Sequence, residues 1–118
     1  MQKKILVTDD AAFMRMLISR MLETEGYEII EAYDGLDMLK KYEEHKPDLV
    51  TLDITMPNMD GLEALKKLKS KHSNAKVIMC SAMGQKVMVM DAIKSGASDF
   101  IVKPFQKEKI METIVKIL

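Results

Sequence analysis

Two apolar periods alternate along this chain, and the alternation happens five times. The runs "KKILVT" (3–8), "DLVTL" (48–52), "KVIMC" (76–80) and "DFIV" (99–102), with the weaker "YEIIEA" (27–32), are short and bounded by turn or cap residues. That combination fits buried or half-buried strands. Between them the period changes. Residues 11–25 place Met14, Leu17, Ile18, Met21 and Leu22 at spacings of three and four, and Gly26 follows as a helix stop. Comparable helices are expected at 36–45, at 61–71 with Leu62, Leu65 and Leu68, and at 85–95 before Gly96. The last, 107–118, carries Ile110, Met111, Ile114, Ile117 and Leu118.

Strand then helix, five times over, leaves few architectures. Parallel neighbours need crossover connections, and those crossovers are right-handed. The expectation is therefore an α/β fold: a doubly wound, five-stranded parallel sheet with helices on both faces. With 118 residues there is room for one core, so 1–118 is read as a single domain with a radius of gyration near ~14 Å.

Charge and cysteine content narrow the function. Eighteen Lys and Arg balance eighteen Asp and Glu, so no global field favours nucleic acid or an anionic membrane. The apolar run in "MQKKILVT" is too short for a signal peptide, and no stretch approaches the ~20 residues of a membrane span. A cytoplasmic location is expected. Cys80 is the single cysteine, and its surroundings "VIMCSA" offer no second thiol, so it reads as a small core side chain. Twelve methionines read mostly as filler of irregular core space.

In doubly wound sheets, ligands bind beyond the carboxyl ends of the strands, where strand order reverses. Asp9 and Asp10 follow the first strand, Asp53 the third, Ser81 the fourth and Lys103 the fifth. Singly, an Asp there is a helix cap and a Lys a solvated loop charge. Five such groups on one edge are harder to explain by capping. Three gathered acids repel one another unless a cation neutralises them. Carboxylates completed by water and phosphate suit Mg²⁺, with Mn²⁺ able to substitute, better than Zn²⁺ or Ca²⁺. His45 and His72 fall at helix ends away from this edge, and "DITMPNMDG" lacks EF-hand spacing. A carboxylate can also attack phosphorus, and Asp53, standing apart from the Asp9–Asp10 pair, is the candidate acceptor. Lys103 and Ser81 are the right types to balance charge on phosphoryl oxygens.

The "DD" at 9–10, "LDITMPNMDG" at 52–61, "SA" at 81–82 and "KPF" at 103–105 give the whole chain a specific likeness. It resembles the receiver domains of two-component response regulators, and among them the short, single-domain chemotaxis regulators. The resemblance implies a flavodoxin-like (βα)5 fold with strand order 2-1-3-4-5, an order for which this family is itself a standard example. It implies that Asp53 is the phosphoacceptor and that Asp9, Asp10, Asp53 and the Thr55 backbone carbonyl hold Mg²⁺. Ser81 would be the switch hydroxyl and Lys103 the phosphate-pairing lysine. Phe100 would stand where a switch aromatic moves between outward and inward rotamers. Relatives often carry Tyr there, so Phe100 keeps the packing role without the hydroxyl. A cis Lys103–Pro104 bond is also implied by the resemblance. Pro57 and Gly61 bracket the loop after Asp53, where the proline limits backbone freedom and the glycine is read as permitting a turn before the third helix.

The implied function is acceptance of a phosphoryl group from a histidine kinase, followed by a change of surface. The domain is not expected to be an enzyme, though it would promote its own phosphotransfer and autodephosphorylation. On helix 85–95, Val89, Ala92 and Ile93 share one side, with Met88 at its margin, while Val87, Met90 and Lys94 lie opposite. That second side, next to Phe100, reads as a docking patch for a flagellar motor switch protein. The alternative is that the surplus apolar residues pack against a neighbouring loop. Thr55 and Met83 flank the expected path of attacking water, and neither is a general base, so an auxiliary phosphatase is expected. The chain stops at Leu118, so no effector in cis is expected, and a monomer is the simplest expectation.

Two rivals fit less well. A haloacid-dehalogenase-type aspartyl phosphatase would want a second Asp two residues after the nucleophile, where Thr55 stands. A flavodoxin-like flavin binder would want Ser, Thr and Gly where "DDAAF" stands. A stand-alone phosphorelay intermediate, passing phosphate to a histidine phosphotransfer protein, uses the same Asp53 and stays open.

Overall fold

The computed structural model describes residues 2–118. Strands and helices alternate along them: β1 (Lys4–Thr8), α1 (Ala12–Thr24), β2 (Glu28–Ala32), α2 (Gly35–His45), β3 (Leu49–Asp53), α3 (Gly61–Lys71), β4 (Val77–Ser81), α4 (Lys86–Lys94), β5 (Asp99–Val102) and α5 (Lys107–Ile117). The strands form one parallel sheet in the order β2-β1-β3-β4-β5. The fold is the expected doubly wound one, and its Cα radius of gyration is 12.6 Å.

Alternation along the strands explains the two cores. Leu6, Val50, Leu52, Val77 and Met79 face one side of the sheet, where Met38, Ala64, Leu65, Leu68, Val89 and Ala92 of α2, α3 and α4 cover them. Ile5, Val7, Leu49, Ile78 and Ile101 face the other, against Ile18 and Leu22 of α1 and Ile110 and Ile114 of α5. The central strands are apolar on both faces because both are covered. β3 and β4 are buried at every residue, whereas the edge strands β2 and β5 are short and expose Glu28, Glu31, Phe100 and Val102. Short edges carrying charge discourage pairing with further strands.

Local chemistry sets several boundaries. Asp34 and Asp60 cap α2 and α3, accepting from the Asp37 and Glu63 N–H groups at 2.8 Å each. Gly26 and Gly96 take the positive φ values, 92° and 108°, that let the chain leave α1 and α4. Cys80 is buried, and burial pushes its thiol up to about 12, so it is inert core. Among the described residues, no helix is long and apolar enough to cross a membrane.

Three expectations need correction. Asp53 and Ser81 are the last residues of β3 and β4 rather than the first beyond them, because their backbones still pair, with Cys80 and Val102 respectively. Ile93 is exposed, unlike Val89 and Ala92, because α4 buries only a narrow stripe against the sheet. Gly61 is not there for a turn. The left-handed residue in the loop before α3 is Asn58, with φ 68°. Gly61 answers a steric demand: a Cβ there would fall on the Asp53 carbonyl oxygen and lie 2.8 Å from the Ile54 Cα.

Candidate functional site

β1 lies between β2 and β3, so strand order reverses at the crevice between the ends of β1 and β3. There the fold gathers Asp9, Asp10 and Asp53, with one carboxylate oxygen from each lying within 4.8 Å of the other two. Asp9 and Asp53 are buried and Asp10 is exposed. Asp9 is held on both oxygens: Oδ1 accepts from the Ala11 N–H at 2.9 Å, and Oδ2 from Lys103 Nζ at 2.8 Å. The same ammonium stands 3.3 Å from Asp53 Oδ1. It comes from the loop after β5, where the Lys103–Pro104 bond is cis.

The electrostatics record an unfinished neutralisation. Burial, and then the charge of Asp9, pushes the Asp53 carboxyl up to about 6 despite the opposing pull of Lys103. Burial alone would lower Lys103, but its bond to Asp9 and the charges of Asp53 and Asp9 carry it above its ordinary value. Three carboxylates against one ammonium leave negative charge in a crevice of hard oxygen donors. That donor set fits a divalent cation.

Ser81 is buried at the end of the neighbouring strand β4. Thr55 is exposed two residues beyond Asp53, and its hydroxyl accepts from Gln85 Nε2 at 2.7 Å. Met83 is 81% exposed on the loop after β4. Behind Ser81 opens an apolar groove of about 560 Å³, lined by Met83, Met90, Ile93, Lys94, Phe100 and Val102 among others. Phe100 is exposed and lines it. Val87, also on α4, is the most exposed of that helix's apolar residues, at 73%.

Three supporting residues escaped the sequence reading. Arg15 Nη1 donates to the Asp9 carbonyl at 2.8 Å while its Nε pairs with Glu31 at 3.2 Å, tying α1 and β2 to the acidic turn. Asn58 Nδ2 donates to Asp34 Oδ2 at 3.1 Å, anchoring the loop after Asp53 to the start of α2. Gln85 bridges two loops on the opposite flank. Each makes at least one contact with a residue 16 or more positions away, which no local pattern announces.

Residues 5–115 match the family of response regulator receiver domains. The chain belongs to the response regulator receiver family. This receiver domain is 56% identical over 119 residues to the chemotaxis protein CheY of Bacillus subtilis, covering 100% of this chain and 99% of that one. It is 58% identical over 114 residues to CheY of Listeria monocytogenes, covering 96% of each. Among solved structures it superposes with TM-score 0.93 on a CheX–CheY–BeF3–Mg complex from Borrelia burgdorferi, at 38% identity, over 98% of this chain and 88% of that one. An acidic pocket compatible with a divalent metal sits at the crest of this receiver domain's sheet.

Proposed function

We propose that this receiver domain is a phosphorylation-activated response regulator of a chemotaxis system, acting as a single domain with Asp53 as its phosphoacceptor. One observation carries the reading: the Asp9, Asp10 and Asp53 carboxylates and the Lys103 ammonium converge on one crevice. The chemotaxis assignment rests on the relatives at 56% and 58% identity, both named CheY.

Asp9, Asp10, Asp53 and the Thr55 carbonyl would hold Mg²⁺, or Mn²⁺ in its place. When bound, the ion supplies positive charge to the oxygens of an incoming phosphoryl group. An Asp53 carboxylate oxygen attacks the phosphorus of a phosphohistidine. The O–P bond forms as the P–N bond breaks, and the leaving imidazole keeps the electron pair and takes up a proton. Lys103 then pairs with the phosphoryl oxygens, and the Ser81 hydroxyl donates to one of them. The new group adds about −1.5 to −2 charge beside a crevice already negative.

Output follows through the face made by α4, β5 and α5. Val87, Met90, Lys94 and Phe100 present apolar surface and one cation beside the groove, chemistry suited to an amphipathic segment of a flagellar motor switch protein. Phe100, exposed in this structure, would move inward when Ser81 moves. The donor is a histidine kinase. Thr55 and Met83 supply no base for water attack, so an auxiliary phosphatase ends the signal. The domain promotes its own phosphorylation and dephosphorylation without being an enzyme for another substrate.

The direct test is incubation with acetyl phosphate and Mg²⁺ followed by mass measurement. Wild type should gain one phosphoryl group and Asp53→Asn none. Beryllofluoride with Mg²⁺ should then raise affinity for a flagellar switch peptide. Phosphorylation without that increase would favour a phosphorelay intermediate instead.

A further inference from the structure

The Gln85 carboxamide makes an unusual pair of bonds. Gln85 is the residue from which α4 starts, yet its side chain does not cap that helix. Its Oε1 accepts from the Ala82 N–H at 2.7 Å, and its Nε2 donates to Thr55 Oγ1 at 2.7 Å. One half-buried side chain thus joins the loop after Ser81 to the loop after Asp53.

The direction of the Ala82 N–H gives this bridge its meaning. Along a parallel strand, successive residues turn their peptide groups toward opposite neighbours. The Cys80 carbonyl faces β3, accepting from the Ile54 N–H at 3.1 Å, and the Ser81 carbonyl faces β5, accepting from the Lys103 N–H at 2.7 Å. Ala82 therefore presents its N–H toward β3 again, on the flank where β3 ends in Asp53. Beyond Asp53 the ladder has run out, and Gln85 takes the donor that the sheet leaves open.

We propose that Gln85 is a positioning residue that holds the resting site by occupying the Ala82 N–H, and that a phosphoryl oxygen on Asp53 displaces it. The inference rests on Asp53 being the acceptor. An anionic oxygen is a stronger acceptor than a neutral carboxamide, and one N–H serves a single acceptor well. Gln85 loses little on release, because a half-buried carboxamide can exchange its bonds for water. Release frees Thr55 on one side and the first turn of α4 on the other. Val87 and Met88, both exposed, lie in that first turn. Occupation of the site is thereby linked to the helix that walls the apolar groove.

The full-length ¹⁵N-labelled chain tests this, with beryllofluoride and Mg²⁺ as the probe. In wild type, the Gln85 side-chain amide resonances should move to the positions of a solvent-exposed carboxamide on saturation. Gln85→Ala should bind beryllofluoride about two- to tenfold more tightly, the worth of a net hydrogen bond or so. Gln85→Glu, whose carboxylate can still hold the Ala82 N–H, should bind it more weakly. A merely structural role would move both variants the same way. Unmoved Gln85 resonances at saturation, or unchanged or weaker binding by Gln85→Ala, would overturn the proposal, and the wild-type spectrum decides alone if the variants do not fold. If wild type takes up neither beryllofluoride nor a phosphoryl group from acetyl phosphate, the Asp53 reading fails first and this inference with it.

Discussion

Lys103 Nζ lies 2.8 Å from Asp9 Oδ2, a bond between residues 94 positions apart that closes the ends of β1 and β5 over the crevice. The ammonium is the one cation paired with the cluster's carboxylates among the described residues, and it also reaches Asp53. Lys103→Gln should lower metal-free stability by about 1–3 kcal/mol, since it leaves buried carboxylates uncompensated. The same change should raise Mg²⁺ affinity by about tenfold, because a competing positive charge is gone. Urea unfolding in EDTA and calorimetric titration measure the two effects. Unchanged stability together with weaker Mg²⁺ binding would contradict the assignment.

The pH dependence of Asp53 has a definite sign. Its carboxyl sits at about 6 in the folded protein against an ordinary 3.8, so the folded state holds the proton more tightly. Stability without metal should therefore fall as pH rises from about 4 through about 6. Asp53→Asn removes this cost. In EDTA at pH 7 it should be more stable than wild type by about 1–2 kcal/mol, after allowance for screening by water. The gain should vanish below about pH 4, which paired melts across the range would show.

Gly61→Ala should cost about 3 kcal/mol, because the added methyl collides with the Asp53 carbonyl and the Ile54 backbone. These are backbone atoms and cannot swing aside. The phosphoryl uptake rate should fall as well, since relief requires moving Asp53 itself. A variant with wild-type denaturation midpoint and uptake would show that this approach is looser than the structure has it.

Much of this was legible in the chain because period and strand ends are local properties. The alternation of Ile5, Leu6 and Val7, the three-residue spacing of Leu62, Leu65 and Leu68, and the stops at Gly26 and Gly96 all act within a few residues of themselves. The edge that collects Asp9, Asp10, Asp53 and Lys103 follows from parallel strands alone. What escaped was set by contacts between loops. No period announces that Gln85 meets Thr55, that Asn58 meets Asp34, or that Gly61 lies against the Asp53 carbonyl. Ile93 was misread because a helical wheel shows which side is apolar and not how wide a stripe the sheet can cover.

Met90→Asp should weaken binding of a flagellar switch peptide by about tenfold or more. It places an unpaired charge on the 51%-exposed apolar flank of the groove, while the acidic crevice is untouched. Phosphorylation by acetyl phosphate should be unchanged. Equal peptide affinity of the two phosphorylated proteins would move the docking face elsewhere.

The isolated phosphoprotein should persist for about seconds or longer, because Thr55 and Met83 offer no general base to an attacking water. Replacing Met83 with Glu, exposed and free to reach over the site, should shorten that lifetime several-fold. A decay of wild type within milliseconds would show that another group activates the water.

The order β2-β1-β3-β4-β5 has a further result for a chain made from its N-terminus. The two acids of the first turn are synthesised early, and their counter-charge arrives only after the last strand, which lies across two others from them. A chain that ends before Lys103 lacks the counter-charge to Asp9 and Asp53, on which the proposed phosphoryl acceptance would depend. Under the proposed function, competence to take up a phosphoryl group would thus certify that the sheet has been completed.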